Sequence, residues 1–159
     1  MTEDFLAPEA TQIRDLIGSR ENKAARVAVA TALESKFEGL QSLAAQVLGS
    51  WRSEQSKHRL RLWLEEKLRQ GSSALVGVAT QALRSRVVPE DASWLLDLYF
   101  STPDLLDRHH LLNAIDVLPP ACLNKRLRLE LASPDPKLRE AAVVLRNRLA
   151  ARSNRPAHQ

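Results

Sequence analysis

Near the end of the chain, LDLYFSTPDLLDRHHLLNAIDVL (residues 96–118) aligns without a gap to LRLELASPDPKLREAAVVLRNRL (residues 127–149). Leu96/Leu127, Leu98/Leu129, Pro103/Pro134, Asp104/Asp135, Arg108/Arg139 and Leu118/Leu149 coincide. Each copy is an apolar stretch, a Ser/Thr-Pro-Asp linker and a second apolar-periodic stretch, which is the pattern of a helical hairpin used twice. Proline cannot donate a backbone hydrogen bond, so it ends or offsets the first helix, and the Asp after it can cap the next helix and face its positive end. The Arg stands four residues beyond that Asp. It is placed to reach its own Asp or that of an adjacent unit, as a ladder of charge-assisted hydrogen bonds.

Outward from this pair the rest of the chain carries the same helical period. Leu40, Leu43, Ala44, Val47 and Leu48 fall at i, i+3, i+4, i+7 and i+8, with Gly49 where a C-terminal cap belongs. Leu75, Val78, Ala79, Ala82 and Leu83 repeat that pattern. Further helical stretches are expected at 11–17 (stopped by Gly18), 22–36, 56–68, 122–132 and 138–149, and Pro89 is expected to open the helix that carries Trp94, Leu95 and Leu98. No period-2 strand bounded by hairpin turns is found. The last leucines of alternate helices, Leu48, Leu83, Leu118 and Leu149, are spaced by 35, 35 and 31 residues. Four positions before them stand Ala44, Ala79, Ala114 and Leu145; a small residue one turn before a leucine lets neighbouring helices approach closely.

The fold class is therefore all-α. The Thr102-Pro103-Asp104 and Ser133-Pro134-Asp135 linkers, followed by Arg108 or Arg139 and an Ala/Leu-rich run, resemble the short HEAT-like variants of the HEAT-repeat family. That resemblance implies a right-handed α-solenoid of about four helix pairs over residues 20–152, preceded by one extra helix, with the second (B) helix of each pair lining a concave side. In the first half Glu34 and Arg69 stand in place of the linker Asp, and Glu38 and Ser73 in place of the Arg. The alternative architecture is a compact bundle that contains one duplicated hairpin. The expected layout is a repeat domain over 8–152 between flexible tails at 1–7 and 153–159.

Composition narrows the function. The chain has 159 residues, 44% hydrophobic and 26% charged, which fits one soluble globular domain. A single cysteine, Cys122, precludes an intramolecular disulfide framework and points to a reducing, cytoplasmic setting. No apolar run is long enough to span a bilayer. The aromatic content of 4% disfavours a stacking platform for single-stranded nucleic acid. Net charge alternates along the chain: −2 over 1–50, +5 over 51–86, −5 over 87–124 and +6 over 125–159. Solvated helix faces explain such blocks; as a surface, the basic blocks suit acidic partners.

No catalytic constellation, cofactor site or metal site is assembled by the sequence. Cys122 reads as a small core residue. His109 and His110 are adjacent and project about 100° apart on a helix, so they cannot clamp one metal as an i, i+4 pair would. The five scattered glycines make no phosphate loop. DNA glycosylases with HEAT-like folds hold a damaged base with aromatic and acidic side chains, so Trp51, Trp63 and Trp94 are the residues to inspect. Trp63 and Trp94 fall on apolar faces, whereas Trp51 follows Gly49-Ser50 and is expected to be the exposed one.

Two positions before the aligned leucines lie Gln46, Gln81, Asp116 and Asn147, all polar in helices otherwise crowded with Ala, Val and Leu. Either they are solvated, or they form a line on the concave surface that takes hydrogen bonds from a partner, with Arg84, Arg146, Arg148 and Arg152 steering it. The expected function is a non-catalytic protein-interaction scaffold. The alternatives are nucleic-acid binding through the basic patches 51–86 and 125–155, and a HEAT-like glycosylase or lyase. The exposed ends of a short repeat stack also favour self-association or a place in a larger complex.

Overall fold

The computed structural model describes residues 2–154, with side chains from Pro8 onward; Met1 and residues 155–159, the outer ends of the two expected tails, lie outside the described residues. Every regular element among the described residues is helical, as the period demanded. The helices are α1 (Thr2–Arg14), α2 (Lys23–Leu33), α3 (Glu38–Ser50), α4 (Glu54–Gln70), α5 (Ser73–Leu83), α6 (Ala92–Ser101), α7 (Leu105–Ile115), α8 (Asn124–Leu131) and α9 (Pro136–Ser153). The backbone of residues 2–7, expected as tail, belongs to α1. The chain divides into two compact units, Met1–Arg86 and Val87–Gln159.

The first unit is organised on α3, which packs against α1, α2, α4 and α5. Its residues Ala44, Ala45 and Val47 are fully buried, so small side chains let four neighbours approach one helix. Asn22 caps α2 by accepting the Ala25 N–H at 2.8 Å, and Ser53 caps α4 by accepting the Ser56 N–H at 3.0 Å. Gly71 closes α4 in the left-handed region at φ 70°, the conformation a helix C-cap favours and glycine adopts without strain. Gly49 departs from the expectation. It lies inside α3, whose C-cap is Trp51. A Cβ at position 49 would stand 2.6 Å from the Ala82 carbonyl oxygen, so this glycine serves the close approach of α3 to α5 rather than a cap.

In the second unit α6 packs on α7 and α9, and α8 packs on α9. Leu95, Tyr99, Leu111, Ile115, Leu118, Leu123 and Leu145 form its core, each worth about 1.5–3 kcal/mol of transfer free energy. The Tyr99 hydroxyl donates to the Ala141 carbonyl at 2.6 Å, so the one polar atom of that ring is satisfied inside the core. Burial pushes the phenol up to about 12, against the pull of Arg108 and Arg148. Pro89 also departs from its expected place: it opens a 3-10 turn, Pro89–Asp91, and α6 begins only at Ala92.

The duplicated linkers behave alike. Asp104 accepts the Asp107 N–H at 3.0 Å and Asp135 accepts the Lys137 N–H at 2.9 Å, so both carboxylates cap as expected. The following arginines form no ladder with them. Arg108 Nε donates to the Thr102 carbonyl at 2.6 Å and Arg139 Nη1 to the Ser133 carbonyl at 2.7 Å, six residues back in each case. The first unit contains the same device: Gln41 Nε2 donates to the Ser35 carbonyl at 2.7 Å, again six residues back. In all three, the side chain four past the N-cap (Phe37, Asp104, Asp135) ties down the carbonyl two before it. The position equivalent to the Arg in the first half is therefore Gln41, three residues beyond Glu38.

Candidate functional site

The residues expected to meet a partner divide into two groups. Gln46 on α3, Gln81 on α5 and Arg84 just after it are exposed in the first unit, and Arg146 and Asn147 on α9 are exposed in the second. Gln46 and Gln81 stand beside fully buried Ala45, Val47 and Ala79, so they mark where each helix meets water. Asp116 and Arg148 are instead committed to each other. Arg148 Nη2 lies 2.6 Å and Nε 2.9 Å from the Asp116 carboxylate, and Nη2 also donates to Asn113 Oδ1 at 2.7 Å. Both nitrogens reach the same oxygen, Asp116 Oδ2, as charge-assisted contacts, so a partner would have to break a formed pair to use either side chain. Arg152, a steering candidate, donates to the Leu118 carbonyl at 2.9 Å.

Trp51 is 2% exposed, against the expectation that it would be the accessible tryptophan. Its carbonyl accepts from Arg86 Nη1, while Arg86 Nη2 donates to the Ser53 carbonyl at 3.0 Å, and these bonds fold the α3–α4 connection inward. Burial and then the charge of Arg52 hold the Arg86 guanidinium below its ordinary value, with Glu54 and Glu21 opposing. Trp63 is buried as expected and Trp94 is half-buried. Cys122 is half-buried at the edge of an open depression of about 740 Å³ between α6 and α8. In that depression Arg126 sits 2.5 Å from Asp97 and 3.2 Å from Glu130; burial lowers its proton affinity, and the two carboxylates more than offset this. The rings of His109 and His110 are 6.2 Å apart, and among the described residues no three His, Cys, Asp or Glu side chains converge as a metal site.

Sequence reasoning missed a groove between α2 and α4. A chamber of about 450 Å³ opens between the N-terminal halves of the two helices, over Leu48 and Trp51. A second, of about 420 Å³, opens between their C-terminal halves, with Gln41 and Trp63 in its wall. Arg59 and Leu62 line both, so the two chambers adjoin along the groove. Glu21 and Trp51 share the first chamber, but the Glu21 carboxylate is taken by Arg26 Nη1 at 3.4 Å. In the second, Lys67 Nζ donates to Gln70 at 3.0 Å and lies 5.6 Å from the Trp63 ring centroid. Gln41 Oε1 and Trp63 Nε1 are buried there without a hydrogen-bond partner. The available signal was two apolar residues off the core stripe: Val27 is 59% and Leu62 45% exposed.

Among the described residues no helix is long and apolar enough to cross a membrane. Comparison of the chain with known protein families, curated proteins and solved structures finds no match.

Proposed function

We propose that the chain is a short α-solenoid of HEAT-like helix pairs, working in the cytoplasm as a non-catalytic scaffold that binds another protein across its B helices α3, α5, α7 and α9. The observation that carries this reading is the state of Gln46 and Gln81. Both side chains are exposed, and neither makes a hydrogen bond among the described residues, on two helices packed directly against one another. Polar amides in that state can give and accept hydrogen bonds with a partner at little desolvation cost, and Arg84 beside them adds attraction for acidic surfaces. Asn147 and Arg146 offer the same chemistry on α9, with the Asp116–Arg148 pair as a rigid neighbour.

Three features favour stacking over a bundle. Gly49 meets Ala82, so α3 and α5 touch near the 35-residue offset of their aligned leucines. The groove sets the N-terminal half of α2 beside that of α4 and C-terminal half beside C-terminal half, so the two first helices run the same way. The carbonyl tie at the start of the second helix recurs in three hairpins. Solenoids bind on extended surfaces without closing around a ligand.

The test replaces Gln46, Gln81 and Asn147 together by Ala and quantifies proteins captured from cell extract by wild-type and variant chains. The expected result is loss of a defined set of partners with helix content unchanged. Capture that is identical for the two chains rejects the surface. A chain that instead retains oligonucleotides, with affinity falling steeply between about 50 and 200 mM salt, would be using the basic patches on nucleic acid.

A further inference from the structure

We infer that the groove between α2 and α4 is a second docking site, for an acidic peptide segment that inserts one large apolar side chain. It lies on the first helices of the hairpins and does not depend on the B-helix surface. Its walls supply the apolar half of the argument. Val27 on α2 and Leu62 on α4 face the same chamber, exposed by 59% and 45%, above the buried floor of Leu48 and Trp51. Isolated exposed apolar residues are ordinary, but two on opposite walls of one concavity form an anchor pocket. A chamber of about 450 Å³ accepts a leucine- or phenylalanine-sized group.

Charge supplies the other half. Lys23, Arg26 and Arg59 line the same chamber against a single carboxylate, Glu21. Glu21 is ion-paired with Arg26 at 3.4 Å, and Arg59 meets Glu34 only at 3.9 Å, a loose contact between side chains 46% and 80% exposed; Glu34 and Glu66 line the second chamber and not this one. Exposed pairs of this kind contribute little and exchange readily, so an incoming Asp or Glu can take Arg59 and Lys23. Apolar walls under a cationic rim match an acidic peptide with an apolar anchor. A phosphate backbone would use the rim and leave Val27 and Leu62 in water.

The adjoining chamber suits a main chain. Gln41 is 7% and Trp63 4% exposed; Gln41 Oε1 is a stranded acceptor and Trp63 Nε1 a stranded donor, both covered until a side chain over them moves aside. A peptide group carries the complement of both, an N–H and a C=O. Lys67, held over the Trp63 ring, is the side chain such a segment displaces as it enters.

The test selects a phage-displayed random dodecapeptide library on the full chain, then measures the enriched peptides by fluorescence anisotropy. The expected result is sequences with Asp or Glu flanking one large apolar residue. Their affinity falls at least tenfold in Lys23→Glu/Arg59→Glu and in Val27→Ser/Leu62→Ser, all exposed or rim positions whose replacement leaves the core intact. The Gln46→Ala/Gln81→Ala/Asn147→Ala chain binds them unchanged, so the two surfaces fail or stand separately. No enrichment, enrichment of neutral or basic sequences, affinity within twofold in both groove variants, or displacement of the peptide by a dodecamer of oligo(dT) would each overturn the assignment.

Discussion

Arg86, three residues past the end of α5, donates through Nη1 to the carbonyl of Trp51, the C-cap of α3, 35 residues earlier. The second unit contains a counterpart: Arg152 Nη2 donates at 2.9 Å to the Leu118 carbonyl, 34 residues earlier and just past α7. In both, an arginine three residues after an aligned leucine (Leu83, Leu149) ties the end of one second helix to the end of the one before it. Arg86→Ala strands the Trp51 and Ser53 carbonyls in a buried connection and is expected to cost about 3 kcal/mol. Arg152→Ala, with one bond lost at a more open site, should cost about 1 kcal/mol. Urea unfolding of the two variants measures the difference. Equal losses would mean that Arg86 is an ordinary surface charge.

The helices were legible because Leu/Ala periodicity reports burial directly: Ala44, Ala79 and Ala114, singled out by spacing alone, are all fully buried. The duplicated linker also foretold two caps, since an Asp after Pro has one local task. What the arginines do was not legible. A guanidinium can reach a carboxylate or a carbonyl at similar sequence distance, and only backbone geometry shows that Thr102 and Ser133 present their carbonyls to Arg108 and Arg139. Trp51 failed for a related reason: a residue after Gly-Ser looks like linker, but the pull of Arg86 on its carbonyl folds the connection inward. The groove was invisible because its walls belong to α2 and α4, distant in sequence, and each contributes only one apolar residue off its core stripe.

Asp104→Ala and Asp135→Ala should each cost about 1 kcal/mol, because each removes the acceptor for a first-turn N–H. Asn at either position should restore most of the loss, since an amide oxygen caps almost as well. Thermal unfolding followed by circular dichroism checks this. If Asn fares as badly as Ala, the carboxylate charge and not its capping geometry carries the effect.

Tyr99 is the single tyrosine of the chain, so its ionisation can be followed by absorbance near 295 nm without interference from another phenol. Its folded-state value, about 12, lies above the ~10 of an unfolded phenol. The folded state therefore holds its proton more tightly. The stability this contributes, roughly 2–3 kcal/mol, is fully present below about pH 10 and is lost as pH rises through about 12. Wild type should lose stability across that window, with tyrosinate appearing as the second unit unfolds. Tyr99→Phe should be less stable at pH 8, because the buried hydroxyl-to-carbonyl bond to Ala141 is lost, yet should lose less between pH 10 and 12. A phenol that titrates near 10 in the folded chain would contradict the buried bond.

Two glycines of α3 separate packing from propensity. At Gly39 an added Cβ meets nothing within 4 Å, so Gly39→Ala should stabilise the chain by about 0.5 kcal/mol through the helix preference of alanine alone. At Gly49 the same methyl would stand 2.6 Å from the Ala82 carbonyl oxygen and 3.0 Å from its Cβ. The obstacle is backbone, which cannot rotate aside, so α3 and α5 must move apart and lose contact along both helices. Gly49→Ala should therefore destabilise by about 1–3 kcal/mol despite the same gain in propensity. Because Gln46 and Gln81 lie on these two helices, the spreading should also change how the pair is presented, and capture through that surface should weaken by more than the loss of folded chain explains. Opposite signs for the two Gly→Ala changes in urea unfolding are the expected result. A stabilised Gly49→Ala chain would show that α3 and α5 do not approach as closely as the Ala82 contact requires.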